Sequence, residues 1–134
     1  MNELTIQEEA VRLHGEGCNC AQCVLCACGA YTALDKETAL AIASGFGGGV
    51  RCGEICGAIS GAVMAIGAAA KQSRNDSSAL TNVASLTKKT TGAFRDKFGF
   101  VRCLDLKRAG VPCDDLIAFG AETAEELIKG ERGE

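Results

Sequence analysis

The order of apolar and polar positions divides the chain into helices separated by glycine and polar punctuation. Thr5-Ile6-Gln7-Glu8 fits a capping box, in which a hydroxyl and a glutamate satisfy exposed backbone N–H groups, and Ile6, Ala10 and Leu13 follow at helical spacing. A first helix is therefore expected to about His14, ended by Gly15 and Gly17. Asn19 can cap a second helix from Cys20 to about Tyr31, and Asp35 a third, short one to Ser44. Gly45-Phe46-Gly47-Gly48-Gly49 then breaks the pattern and must be a turn or a loop of close approach. From Cys52 to Ala70, Gly53, Gly57, Gly61, Ala65 and Ala69 recur every four residues on one helical face. Small residues at that spacing let a second helix approach closely, either within the chain or across the two-fold axis of a homodimer. The polar run 71–78 reads as a loop. A long helix from Ala79 to Lys97 follows, stopped by Gly99; Cys103 lies in the segment beyond, and Cys113-Asp114-Asp115 opens a last amphipathic helix to about Lys129. No segment alternates as a strand should. The expected fold is all-α: a compact bundle of five to six helices with a glycine-rich loop, occupying residues 1–134 as a single cysteine-rich domain.

Composition narrows the chemistry. With 47% hydrophobic residues but only 4% aromatic ones, the 134-residue chain can build a core of Ala, Val, Ile and Leu and does not need disulfides to fold. A net charge of −3 gives no broad attraction to phosphate, so nucleic acid is not an expected partner. The longest uncharged run, Ile55 to Ala70, is short and rich in Ala and Gly, which suits a buried helix better than a membrane span. The acidic N-terminal segment has no basic stretch followed by an apolar run, so a cytoplasmic location is expected.

Nine cysteines change the picture most. In a reducing compartment a structural disulfide framework is disfavoured, which leaves metal binding, redox chemistry or inert burial. Any one cysteine reads most simply as a small buried hydrophobe. Clustering argues otherwise, because Cys18, Cys20, Cys23, Cys26 and Cys28 crowd into one short stretch and Cys52 and Cys56 form a second group. At roughly 100° per residue, Cys20 and Cys23 project within about 60° of one another and can share a site. Cys26 and Cys28 point about 160° apart, so one helix cannot aim both at a single metal. Cys52 and Cys56 are neighbours if one helix holds both.

Other motifs carry less. The triple glycine is followed by Val50-Arg51-Cys52 rather than Gly-Lys-Ser/Thr, so it is no phosphate loop, and its plainest use is to bring backbone close to another group. The one histidine, His14, has no Cys-His pattern around it and reads as a helix-end residue. Cys-x-x-Cys-His is absent, which excludes covalent haem.

Gly17-Cys18-Asn19-Cys20-Ala21-Gln22, Ser44-Gly45-Phe46-Gly47-Gly48-Gly49, Cys56-Gly57-Ala58-Ile59-Ser60-Gly61 and Phe98-Gly99-Phe100-Val101-Arg102-Cys103 with Cys113 together resemble the redox-active family named for its C-GCAxxG-C-C pattern. The resemblance covers nearly the whole chain. It implies that the family's four cysteines fall on Cys20, Cys56, Cys103 and Cys113. Cys18, Cys23, Cys26, Cys28 and Cys52 lie outside that pattern, so the centre is either larger or joined by a second one.

Three chemistries compete for such a set. Thiolates drawn from distant segments hold iron–sulfur clusters, which is the reading preferred here, for electron transfer or small-molecule redox chemistry with a redox partner protein or a small-molecule electron donor. A thiol–disulfide oxidoreductase would instead use a low-pKa thiol at a helix N-terminus, with Cys20 and Cys113 as candidates. Zinc or Cu(I) bound by thiolates is the third. The expected ligands are Cys20, Cys56, Cys103 and Cys113, with Cys23, Cys52 and Cys18 as additions and with Cys26 and Cys28 buried and inert.

Overall fold

The structure, a computed structural model, describes residues 3–73 and 77–134. Among the described residues there are eight α-helices and no strand: α1 Ile6–Gly15, α2 Cys20–Ala27, α3 Gly29–Thr32, α4 Lys36–Ala43, α5 Gly57–Ser73, α6 Ser77–Phe98, α7 Cys103–Arg108 and α8 Cys113–Arg132. The all-α expectation holds, but five to six helices is too few. Two differences account for the excess. The second expected helix breaks at Cys28, whose N–H is shared between the carbonyls of Val24 and Leu25, and the following turn ends at Ala33 in left-handed conformation. The segment after Gly99 also contains α7, which was not foreseen because six residues are too few for a periodicity to register.

The N-terminal caps form as the sequence suggests. Thr5 and Glu8 make a reciprocal capping box on α1, Asn19 and Gln22 make another on α2, and the Asp35 carboxylate accepts from Thr38 N–H on α4. Each cap is worth about 1 kcal/mol. The expected helix from Cys52 begins instead at Gly57. Residues 48–51 all adopt left-handed dihedrals, Gly49–Gly53 closes as a π-type turn, and Ile55 forms an isolated antiparallel bridge with Arg102. Cys56 N–H is therefore spent on Val101 O at 2.9 Å instead of on a helical carbonyl at position 52. At its other end α5 runs on to Ser73 and α6 starts at Ser77, so the expected loop is shorter than 71–78; its residues 74–76 lie outside the described residues.

The small-residue face of α5 is used within the chain. A Cβ built at Gly61 would meet Ala21 O at 2.6 Å and Val24 Cβ at 3.0 Å, and one at Gly57 would meet Phe46 O at 3.0 Å and Cys20 Cβ at 3.1 Å. Gly120 of α8 reaches an adjoining face of the same helix, with Ala58 O 2.9 Å and Val24 Cγ2 3.2 Å from its built Cβ. These contacts pack α5 against α2 and α8, while α1 lies on α2 and α8. Gly53 is not part of this face, since it sits in the turn beneath Leu104. One apolar core joins α1, α2, α5 and α8 with Phe94 and Leu106. No helix among the described residues is long and apolar enough to cross a membrane.

Candidate thiol site

All four cysteines of the expected ligand set stand at the start of a helix. Cys20 is the first residue of α2, Cys103 of α7 and Cys113 of α8, and Cys56 immediately precedes α5, its carbonyl accepting from Ser60 N–H. The sequence achieves this locally by caps and turns. Asn19 caps α2, and its Nδ2 also donates to the carbonyls of Ala43 and Ser44, which ties the start of α2 to the end of α4. The 55–102 bridge, with Cys103 N–H donating to Glu54 O at 2.6 Å, sets Cys56 beside Cys103. Gly49 closes this corner. A built Cβ there would lie 2.5 Å from the backbone N and O of Glu54 and 2.9 Å from Cys103 Cβ. The glycine-rich loop thus makes its close approach to a residue of the candidate site.

Three of the four thiols neighbour Cys56, and two neighbour Cys20: Cys20 feels the charges of Cys113 and Cys56, and Cys56 those of Cys103 and Cys113. Cys56 is buried, and Cys20, Cys103 and Cys113 are half-buried. Burial first, then these neighbouring sulfurs, push the Cys20 thiol up to about 12. Burial also raises Cys56, against the pull of hydrogen bonds from the Ala58 and Ile59 N–H groups. This corrects the expectation of a low-pKa thiol at Cys20. The helix terminus is present, but desolvation and three nearby sulfurs outweigh it. Without an added cation, Cys20 is a neutral thiol at pH 7.

The additional cysteines divide. Cys52, expected beside Cys56 on a helix, is exposed in the π-type turn with its Sγ toward Gly49 O at 3.5 Å, because the helix starts later than the spacing suggested. Cys23 is buried and acts on Cys20 from one side, but its stronger sulfur neighbours are Cys18 and Cys26. Cys28 is buried apart from both groups, near Glu125. Cys26 is half-buried, not fully enclosed as expected. His14 was read only as a helix-end residue; its Nδ1 lies 2.7 Å from Asp114 Oδ1, next to Cys113, and joins α1 to the start of α8. Nothing in the sequence marks that pair, which is a hundred residues apart. Among the described residues, no three His, Cys, Asp or Glu side chains are already placed to hold a single metal ion.

The profile of the family described as "Putative redox-active protein (C_GCAxxG_C_C)" matches residues 18–127, most of the chain. The chain belongs to that family. No curated protein and no solved structure gave a match. In this C_GCAxxG_C_C protein the matched region contains all nine cysteines, so the family relation covers both the four helix-start thiols and the five others.

Proposed function

We propose that this C_GCAxxG_C_C protein is a redox protein that holds an iron–sulfur cluster on Cys20, Cys56, Cys103 and Cys113. The observation that carries the reading is that these four thiols, each at the N-terminus of a different helix, neighbour one another in pairs, Cys20 with Cys56 and Cys113, and Cys56 with Cys103 and Cys113. An anionic thiolate cluster is favoured where helix N-termini present N–H groups and the positive ends of their dipoles. The donor set also fits by chemistry, being all sulfur with no histidine or carboxylate among the neighbours acting on Cys20 and Cys56.

A bound cluster would supply a one-electron couple. The protein's own residues would supply its surroundings: Gly49 admits backbone to the Cys103 corner, Cys56 collects two N–H groups, and Cys20, Cys56 and Cys113 pack into the apolar core. Val50, Ile55, Phe100 and Leu104 are exposed on the segments that carry Cys56 and Cys103. A redox partner protein or a small-molecule electron donor would reach the centre most directly through this rim.

Protein prepared without oxygen after iron-replete expression should be brown, with broad sulfur-to-iron absorption and acid-labile sulfide matching its iron. Single Ser replacements at Cys20, Cys56, Cys103 and Cys113 should each lose most of the iron. Colourless protein carrying only zinc, or full iron in the Cys103 or Cys113 variant, would sink the assignment. A second reading pairs Cys20 and Cys113, neighbouring sulfurs at the starts of α2 and α8. These two thiols would then form a disulfide, giving up two protons and two electrons to the partner. Iron-free protein with one reversible two-electron potential, lost in Cys113→Ser, would support it.

A further inference from the structure

Cys26 lines a pocket of about 190 Å³ with Glu9, Leu13, Leu34, Lys36 and Ala39, and none of Cys20, Cys56, Cys103 and Cys113 lines it. It is not alone there. Cys23, one turn earlier on the same helix, and Cys18, just before the Asn19 cap, both lie within electrostatic reach of it, and Cys23 Sγ is directed at Cys18 O at 3.6 Å. The three differ in access: Cys26 and Cys18 are half-buried, whereas Cys23 is fully enclosed. Burial and Cys18 push the Cys26 thiol up, and Lys36 is the cation that opposes them. Glu9, which also lines the pocket, is held by Arg12 through both carboxylate oxygens, so the charge the rim turns to a ligand is that of Lys36.

A thiol lining a pocket, a cation beside it and a second thiol behind it are the parts required for thiol–disulfide exchange with a small molecule. Residues three apart on a helix have Cα atoms about 5 Å apart, within the span a disulfide bridges. Their Cβ atoms stand about 5–6 Å apart, beyond the roughly 4 Å of a disulfide, so the Cys23–Cys26 bond closes by a local tightening of the last turn of α2, which ends at Ala27. We propose that Cys26 is the entry thiol of a second, independent redox site, which exchanges with small-molecule disulfides bearing polar groups and is resolved by Cys23. In the first step the Cys26 thiolate attacks one sulfur of the incoming disulfide, forming a mixed disulfide and releasing one thiolate. In the second, the Cys23 thiolate attacks Cys26 Sγ, forming the Cys23–Cys26 disulfide and releasing the other half. Two cysteines are thereby oxidised by two electrons, one external disulfide is reduced to two thiols, and the two cysteine protons end on those thiols. Lys36 favours the attacking thiolate and meets a carboxylate of the ligand.

The site does not depend on what Cys20, Cys56, Cys103 and Cys113 hold, and its test reads only α2. The full chain carrying Cys52→Ser, which removes the exposed competitor, is reduced and exposed without oxygen to cystine or hydroxyethyl disulfide, quenched with acid at intervals and mapped by mass spectrometry. The expected result is an early adduct on Cys26 that converts to a Cys23–Cys26 disulfide, with cystine reacting faster than hydroxyethyl disulfide. Cys23→Ala should trap the Cys26 adduct, Cys26→Ser should abolish it, and Lys36→Gln should slow adduct formation several-fold with cystine and less with the neutral disulfide. A first adduct on Cys18, unchanged labelling of α2 in Cys26→Ser, or oxidation that ends in Cys20–Cys23 would overturn the proposal. If Cys23→Ala is too unstable to assay, the early-quench adduct in the Cys52→Ser chain decides alone.

Discussion

Gly61 and Gly67 stand on the same helix and meet opposite surroundings. A methyl group at Gly61 would press on Ala21 O at 2.6 Å, backbone that cannot move aside, whereas nothing lies within 4 Å of one at Gly67. Gly61→Ala should therefore cost about 1–3 kcal/mol through overpacking against α2. Gly67→Ala should gain up to about 1 kcal/mol, since Ala is the better helix former and nothing opposes it. Urea unfolding of both variants checks the pair, and equal effects would mean that α5 does not rest on α2 as described. The same reasoning makes Gly57→Leu incompatible with the contact between Gly57, Phe46 O and Cys20 Cβ, so that variant should lose the site together with stability.

Among the elements, the turn before α5 holds the most strained backbone. Val50 has φ 58° and Arg51 φ 61°, the left-handed region in which a β-branched residue is rare. The conformation costs about 1–2 kcal/mol for such a residue, against roughly 0.5–1 kcal/mol for the extra freedom of glycine. Val50 is about half exposed and loses little burial on replacement. Val50→Gly should thus raise stability by about 1 kcal/mol in thermal unfolding; an unchanged midpoint would place the strain elsewhere. Asn19→Ala should act in the opposite sense. It removes the α2 cap and both bonds to the end of α4, a loss of about 1–2 kcal/mol in the same measurement. These two sites also show what could be read from the sequence. Asn19, Thr5 and Asp35 were legible because a cap is a local pattern, and the Gly57–Gly61 face because its period is helical. Grouping Cys103 and Cys113 with Cys20 and Cys56 came from the family resemblance. The late start of α5, and hence the separation of Cys52 from Cys56, was not legible. It depends on Ile55 pairing with Arg102, a contact between distant segments that leaves no periodicity.

Across the whole molecule, buried thiols make stability depend on pH in a definite direction. Cys28 lies fully enclosed in the core, and burial together with Glu125 pushes it up to about 12 from an ordinary 9.0. In the unfolded chain it ionises at the ordinary value. The stabilisation is therefore complete below pH 9 and is lost as pH rises toward 12, because the unfolded state alone releases the proton in that window. One such thiol removes at most about 1.4 kcal/mol per pH unit. Cys20 and Cys23, both also pushed up to about 12, act in the same sense. Reduced, metal-free protein should accordingly lose thermal stability between pH 9 and 12, and Cys28→Ala, although less stable at pH 7 because of the cavity, should lose it less steeply. Coincident slopes would show that Cys28 is not held protonated by the fold. The inner site separates from the core in the same experiment. A ligated thiolate carries no proton, so if Cys20 binds a cluster, the loaded protein should shed the Cys20 share of the alkaline loss while the Cys28 share remains. Identical alkaline slopes with and without bound iron would show that Cys20 is not a ligand, independently of any activity.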